Sequence, residues 1–206
     1  IQVLVIEKVS HQFGLNQVLN NVSLQSVGGE VTCLIGHSGC GKTTLLRLLA
    51  GLLRVQSGRI LLDGEVLVSQ TTMLPPEERP IGMVFQEGAL FPHMSVADNV
   101  AFGLPKKEAR KRATEWLKRV GLADFAGRNP DSLSGGQRQR VALARAMAPE
   151  PRVLLFDEPF ANLDAPLRRA LRDDARRIIR DTGTVGLFVT HDPAEVLMMA
   201  DNVAVL

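Results

Sequence analysis

The chain has 206 residues, of which 45% are hydrophobic and 22% are charged, and its formal net charge is +2. This size and composition fit one globular domain, or a core with a smaller lobe. The near-neutral charge argues against a general attraction to nucleic acid or to a membrane surface, and no apolar run approaches the roughly 20 residues of a membrane-spanning helix. The two cysteines, Cys33 and Cys40, provide no disulfide framework.

The chain begins with a segment that is rich in predicted strands. Apolar, β-branched runs at residues 3–6 and 18–24 predict two short strands, with the polar residues 11–17 as the turn between them. A turn at residues 27–30 follows. The apolar, partly β-branched run at residues 31–35 then predicts a buried strand.

A glycine-rich loop lies between that strand and a leucine-rich helix, with the sequence Gly36-His37-Ser38-Gly39-Cys40-Gly41-Lys42-Thr43-Thr44. The pattern G-x-x-x-x-G-K-[ST] in this context predicts a nucleoside triphosphate site, because backbone N–H groups and the helix N-terminus attract phosphate. Lys42 can reach the β- and γ-phosphates, and the Thr43 hydroxyl can bind Mg²⁺. The alternative, a glycine-rich turn that happens to carry a lysine, does not account for the flanking strand and helix.

The middle of the chain changes from strand to helix patterning. Residues 59–65 predict a hairpin, and residues 81–85 predict a strand that ends at Gln86. Helical periodicity dominates residues 87–150. After Pro105, which is predicted as the first helical residue, one helix has an apolar stripe made of Ala109, Ala113, Trp116, Leu117 and Val120. The lysines and arginines around this stripe form either a nucleic-acid patch or the solvated face of the helix, and the second interpretation is favoured.

Strand patterning returns after residue 151. The apolar run at residues 153–156 predicts a strand buried in a parallel sheet, and it is followed by Asp157 and Glu158. Ligands of such sheets bind beyond the carboxyl ends of the strands, so Asp157 is predicted to hold Mg²⁺ and Glu158 to act as a general base on water. Alone, such a pair is often only a solvated strand end.

The remaining elements complete an α/β fold. Asp164 and Asp192 are predicted helix N-caps, and strands are predicted at residues 185–190 and 203–206. The chain is therefore predicted to be a single domain of residues 1–206. Its core comprises residues 1–86 and 151–206, with a helical subdomain of residues 87–150 inserted between them.

The segment Leu133-Ser134-Gly135-Gly136-Gln137 is the most discriminating motif. A serine followed by two glycines at a helix start can bind an anion, because it offers a hydroxyl, free N–H groups and the helix dipole. The alternative is a capped loop that binds nothing.

This segment resembles the signature motif of ATP-binding-cassette (ABC) ATPases, and residues 138–146 resemble its usual continuation. Gln86 resembles the family's Q-loop, Asn162-Leu163-Asp164 its D-loop, and His191 its switch histidine. Phe13 stands where the family places an aromatic ring that stacks on adenine, and Val18 is implied as a further nucleotide contact. The resemblance covers nearly the whole chain. It implies a P-loop NTPase (RecA-like) core with a mostly parallel sheet, a small antiparallel β subdomain and an inserted helical subdomain.

The resemblance implies ATP and Mg²⁺ as cofactors and a head-to-tail dimer of two such chains. Each ATP would lie between the Lys42 loop of one subunit and the Ser134–Gln137 segment of the other, with Asp164 nearby. His191 would contact the γ-phosphate, and Gln86 would contact Mg²⁺ and relay the nucleotide state. The catalytic residues implied are Glu158, His191, Lys42 and Gln86, and the Mg²⁺ ligands implied are Thr43, Gln86 and Asp157.

Two further segments resemble the ATPases of bacterial importers for sugars, polyamines, thiamine, sulfate and ferric iron. They are residues 75–79 and residues 87–93, and the second is most similar to the ferric-iron group. In such importers the segment after Gln86 docks a membrane subunit. Its apolar residues fit either that docking or packing inside the helical lobe.

The partners implied are integral-membrane permease subunits and, through them, a solute-binding protein. The location implied is the cytoplasmic face of the bacterial inner membrane, and no nucleic-acid partner is implied. The rival is a soluble ABC-type switch that regulates a protein or nucleic-acid complex.

Many importer ATPases of this group continue into a C-terminal regulatory domain, which is not expected within residues 1–206. Cys40 lies in the predicted phosphate loop, so ATP is expected to protect its thiol from alkylation. Cys33 is expected to be a buried strand residue.

Overall fold

The computed structural model describes residues 1–86, 88–161 and 163–206. The strands of this described part form two sheets. An antiparallel sheet of four strands has the order β2-β1-β4-β5, where the strands are β1 (Val3–Phe13), β2 (Asn16–Val27), β4 (Ser57–Leu62) and β5 (Glu65–Val68). A second sheet of five strands has the order β6-β7-β8-β3-β9. Its strands are β3 (Val31–Ile35), β6 (Ile81–Phe85), β7 (Val153–Asp157), β8 (Val185–Val189) and β9 (Asn202–Val205).

All neighbouring strands of the second sheet are parallel. Their carboxyl ends therefore meet along one edge of the sheet. Four chemically distinct segments start at that edge: the glycine-rich loop after β3, Gln86 after β6, Glu158 after β7 and His191 shortly after β8. The predicted strands at 31–35, 81–85 and 153–156 are all present.

Six helices surround these sheets in the described residues: α1 (Lys42–Ala50), α2 (Val96–Ala101), α3 (Lys106–Arg119), α4 (Gly135–Met147), α5 (Ala165–Thr182) and α6 (Pro193–Met199). The described residues between β6 and β7 contain helices and turns but no strand. No helix in the described part of the chain has the length and apolar character to cross a membrane.

Both faces of the parallel sheet are covered, which explains why β7 is apolar from residue 153 to residue 156, before Asp157 at its end. Leu154 and Phe156 pack into the cluster that includes α2, α3 and α4. Val153 and Leu155 pack into a second cluster that includes α1 and the antiparallel sheet. Because successive strand residues point to opposite faces, a strand buried on both sides must be apolar at every position.

Two local predictions differ from the structure. The predicted turn at residues 11–17 shrinks to Gly14 and Leu15, since β1 and β2 stay paired out to Phe13 and Asn16. Cross-strand pairing there overrides a turn-like composition. Pro105 is the N-cap of α3 rather than its first helical residue, a shift of one position that is common at helix ends. Trp116 is buried in the core as predicted.

Arg79 ties the end of α1 to the segment before β6. Its Nη1 donates to the carbonyl oxygens of Leu48 and Leu49 at 2.8 and 2.6 Å, and its Nε donates to that of Leu74 at 2.8 Å. The side chain is 5% exposed, and burial lowers the pKa of its guanidinium. The last carbonyls of a helix lack partners within the helix, and Arg79 donates to two of them at the end of α1. The Leu48 carbonyl also accepts from the Gly51 N–H at 3.3 Å.

Arg79→Met should lower the free energy of unfolding by about 2–4 kcal/mol, because it removes the hydrogen bonds that a buried guanidinium donates to three carbonyl groups. Urea denaturation measures this loss. Arg54→Met, at an exposed arginine beyond α1, is the matched control and should change the stability by less than about 0.5 kcal/mol. Equal losses in the two variants would contradict the capping role of Arg79.

Candidate functional site

The loop after β3 has a backbone that only glycine accommodates at its end. Gly41 has φ = 99° and is the N-cap of α1. A Cβ atom there would lie 2.5 Å from the Val18 carbonyl oxygen and 2.7 Å from Leu19 Cδ2. Gly39 also has a positive φ, of 85°. These conformations bend the loop into a curl against β2 and direct the start of α1 into the cleft.

The start of α1 is left open for an anion. No side chain caps it and no acidic residue stands in its first turn, whereas serine and aspartate side chains cap α4 and α5. Lys42 Nζ donates to the carbonyl oxygens of Gly36 and His37 at 2.8 and 2.9 Å. The helix dipole, the first N–H groups and this ammonium together make the loop electropositive.

Thr43 and Asp157 form a pair of oxygen donors beside the loop. Thr43 Oγ1 donates to Asp157 Oδ1 at 3.1 Å. Burial raises the pKa of the Asp157 carboxyl, the Thr43 hydrogen bond and Arg47 lower it, and the neighbouring Glu158 raises it further. Hydroxyl and carboxylate oxygens suit Mg²⁺, and a cation here would offset the cost of burying the charged carboxylate. The donor set therefore fits the predicted metal.

Glu158 and His191 meet at the same edge of the sheet. His191 Nδ1 lies 3.1 Å from Glu158 Oε2. The Glu158 backbone is in the left-handed region, with φ = 46°, and its N–H donates to the Val189 carbonyl at 3.1 Å. A non-glycine residue held in this conformation is strained, and such strain is concentrated at functional sites.

A cleft of about 710 Å³ joins these groups. It is bounded by the loop and α1 on one side and by Glu158 and His191 on another. Its lining includes most of the residues predicted for nucleotide contact and catalysis in this region: Val18, Ser38, Gly39, Gly41, Lys42, Thr43, Thr44, Glu158 and His191, together with Asn16. Asp157 reaches the cleft through Thr43.

Besides Asp157, four predicted residues lie near this cleft without lining it in the described structure. Gly36 supplies a carbonyl to Lys42, and Cys40 Sγ lies 3.4 Å from Lys42 Nζ. Phe13 is 50% exposed at the end of β1, where its ring meets the edge of His11 at 4.8 Å. Gln86 is exposed beyond the Phe85–Asp157 pair of β6 and β7.

The predicted signature residues form a separate group at the start of α4. Ser134 Oγ accepts from the Gln137 N–H at 3.3 Å, and Gln137 Oε1 accepts from the Ser134 N–H at 2.9 Å. This capping box is the capped loop that the sequence left open as an alternative, and it leaves the N–H groups of Gly135 and Gly136 at the helix end. A Cβ atom on Gly136 would lie 2.4 Å from Leu167 Cδ1, so a side chain at this position would have to displace the Leu167 side chain.

Asp164 caps α5, since its Oδ1 accepts from the Leu167 N–H at 2.9 Å. Asn162 of the predicted D-loop and Glu87 of the predicted docking segment lie outside the described residues. The rest of the docking segment is half-buried at Leu90 and Phe91, and the Phe91 ring packs on Phe102 at 4.5 Å.

Gln139 has no role predicted from the sequence, although the structure places it beside the site. This residue of α4 is 6% exposed and donates to the carbonyl of Gln86 at 2.6 Å. A signal was present in the sequence. Gln139 is polar, but the residues three, four and seven positions further on are Ala142, Leu143 and Ala146, which define a buried helix face.

A model of the ABC transporter family matches residues 19–161, and the chain belongs to this family. The fold agrees with this assignment. A solved structure of cbiO1 from Clostridium perfringens, described as part of the ABC transporter complex cbiONQ, superimposes with a TM-score of 0.87 at 34% sequence identity. The match covers 98% of this chain and 83% of that one. The predicted family and the predicted P-loop NTPase fold, with its antiparallel and helical subdomains, are thereby confirmed.

Among curated relatives, an Fe(3+) ions import ATP-binding protein of Agrobacterium fabrum is 51% identical over 98% of this chain and 58% of its own length. A spermidine/putrescine import ATP-binding protein of Roseobacter denitrificans is 50% identical over 95% of this chain and 54% of its own. A sulfate/thiosulfate import ATP-binding protein of Caulobacter vibrioides is 49% identical over 98% of this chain and 61% of its own. The chain thus spans a little over half the length of the curated relatives it matches.

The two cysteines should differ sharply in reactivity toward N-ethylmaleimide. Cys33 is fully buried and burial raises the pKa of its thiol to about 12, whereas Cys40 is partly exposed in the phosphate loop. Alkylation should therefore modify Cys40 alone. ATP with Mg²⁺, at about ten times its Kd, should slow this reaction roughly tenfold.

Mass spectrometry of the modified peptides measures both rates, and Cys40→Ser is the control that should remain unlabelled. The same Cys40 rate with and without ATP would contradict a nucleotide site at this loop.

Proposed function

We propose that this chain is the ATP-binding and ATP-hydrolysing part of an ABC importer. One observation carries the proposal: an electropositive glycine loop, an oxygen-donor pair and a carboxylate–imidazole pair converge on a single cleft. Phosphoryl transfer to water needs these three things, namely phosphate binding, a metal site and a group that orients the attacking water.

The residues of the cleft divide the steps of ATP hydrolysis among them. The α1 N-terminus and the Lys42 ammonium bind the phosphates, and Lys42 exchanges the carbonyls of Gly36 and His37 for phosphate oxygens. When bound, Mg²⁺ neutralises charge on the β- and γ-phosphates, with Thr43, Asp157 and Gln86 as the residues that would hold it. Glu158 accepts a proton from the attacking water.

His191 completes the catalytic group. In the structure it holds the Glu158 carboxylate through Nδ1, and with ATP present it contacts the γ-phosphate. Phe13 stacks on the base, and Val18 contacts the nucleotide beside it. The half-exposed ring of Phe13 is consistent with a stacking surface, because aromatic side chains at this exposure offer a free face.

We further propose that the nucleotide is shared between two copies of the chain arranged head to tail. The Ser134–Gln137 segment is a second helix N-terminus, with Gly135 and Gly136 N–H groups available, and it is separate from the cleft residues of its own subunit. A second copy would bring this segment, with Asp164 nearby, over the first copy's phosphate loop. Each of the two sites is then completed by its neighbour, as expected for a symmetric dimer.

The importer assignment rests on the names of the relatives and on the segment after Gln86. Phe91 of that segment packs against Phe102, which follows α2 and is 52% exposed. Together the two rings form an apolar surface suited to a permease subunit. A solute-binding protein would act through that permease, at the cytoplasmic face of a bacterial inner membrane. Ferric iron is the cargo we favour from the sequence, although the polyamine and sulfate relatives are about equally similar.

ATP-dependent dimerisation tests the shared site. Glu158→Gln should bind ATP but hydrolyse it at least about 100-fold more slowly, since the general base is removed. With ATP and Mg²⁺, light scattering should show this variant moving from monomer to dimer mass. Adding Ser134→Arg should abolish the dimer, because the bulky cation blocks the segment.

Thr114→Arg is the matched control, since it adds the same charge to an exposed position of α3 and should leave the dimer intact. Phosphate release by the unmodified chain is measured in parallel. Two results would contradict the proposal: a chain that neither binds nor hydrolyses ATP, or a dimer that survives Ser134→Arg.

A further inference from the structure

Gln139 connects three parts of the site that are distant in sequence. It lies in α4, shortly after the Ser134–Gln137 segment. Its Nε2 donates to the carbonyl oxygens of Gln86 at 2.6 Å and Pro159 at 2.8 Å, with that of Phe85 further away at 3.4 Å. Three carbonyl oxygens around one amide nitrogen define its orientation, because the amide oxygen is not a donor.

The two short hydrogen bonds lie just beyond the end of the backbone pairing between β6 and β7. The β6–β7 ladder ends at the Phe85–Asp157 pair. Immediately beyond it, Gln86 and Glu158 leave the sheet on their separate paths. The amide of Gln139 bridges these two paths, so a side chain from α4 continues the connection that the backbone ladder no longer makes.

This bridge supports a strained turn. Glu158 has φ = 46°, a conformation that costs on the order of 1–3 kcal/mol and persists only where neighbours hold it. Its own N–H is held by the Val189 carbonyl at 3.1 Å, and the next residue, Pro159, is held through its carbonyl by Gln139. The Ala161 N–H also donates to the Glu158 carbonyl at 3.4 Å. The turn is therefore held on both sides of Glu158, and Gln139 is the support that comes from α4.

We propose that Gln139 is a positioning residue for ATP hydrolysis, which sets the placement of both Gln86 and the Glu158 carboxylate. The inference rests on the function proposed above, since it assigns Gln139 its effect through those two residues. Gln139 is not among the residues that line the cleft. Because it lies on the same helix as the Ser134–Gln137 segment, any shift of α4 is carried to both paths at once.

Gln139→Met tests this role, because methionine has a similar length but no donor. It should lower kcat by roughly 10- to 100-fold, the cost of a small misplacement of a catalytic group. The affinity for the fluorescent analogue mant-ATP should stay within about twofold, because in the described residues Gln139 does not line the cleft that the phosphate loop bounds. Gln139→Asn, which keeps the amide but is too short to span both carbonyls, should show the same split between kcat and affinity.

Arg79→Met is the control for lost stability alone. It also removes a buried side chain that donates to three carbonyls, yet it is predicted to keep its kcat below its unfolding temperature. All variants are assayed where circular dichroism shows them folded. If Gln139→Met fails to fold, Gln139→Asn decides the question.

The outcomes separate the inference from the function on which it rests. An unmodified chain that does not hydrolyse ATP defeats the proposed function and the inference with it. A chain that hydrolyses ATP while both Gln139 variants keep kcat within about twofold overturns the inference alone. Equal losses of kcat in Arg79→Met and the Gln139 variants also overturn it, because the effect is then one of stability. A selective loss of kcat in the Gln139 variants supports it.

Discussion

The site depends on how the chain leaves β3. Gly41 takes a left-handed conformation that no residue with a Cβ could adopt against Val18 and Leu19, and this turn delivers an uncapped helix N-terminus into the cleft. The neighbouring strands are parallel, so their carboxyl ends bring Asp157, Glu158 and the residues after β8 to the same place. One backbone constraint and one sheet direction together determine where positive and negative groups meet.

Two groups at the site are held in energetically unfavourable states. Asp157 is partly buried, which raises the pKa of its carboxyl, and Glu158 is held in a strained backbone conformation. A raised carboxyl pKa means that the nucleotide-free protein loses stability as pH rises through the folded-state pKa, and that a cation favouring the carboxylate recovers it. The free-energy cost of the charged carboxylate is therefore lower with a bound cation than without one, as expected for groups arranged around a charged ligand.

Sequence patterns correctly predicted the elements that are specified by local features, such as the spacing of apolar residues or a backbone conformation that needs glycine. The apolar β7, the α3 stripe with Trp116 and the loop before Lys42 all follow from local periodicity or local backbone needs. The β1–β2 hairpin was wrong in extent, because pairing between strands keeps His11 and Gln12 extended where composition favoured a turn. The spacing within α4 marks Gln139 as a polar residue on a buried helix face, but it does not specify the carbonyl groups of the distant segments to which Gln139 donates.

We proposed that the phosphate loop of one copy and the Ser134–Gln137 segment of another share a nucleotide, and a single copy cannot test this arrangement. Cross-linking tests it directly: Ser38→Cys in one copy and Gly135→Cys in another, both with Cys40→Ser. Position 135 tolerates a side chain, since the nearest atom to its Cβ is 3.4 Å away. A disulfide requires Cα atoms within about 7 Å, so we predict ATP-dependent cross-linked dimers only when both variants are mixed. No cross-link with ATP, or one equally formed without it, would contradict a nucleotide shared between two copies.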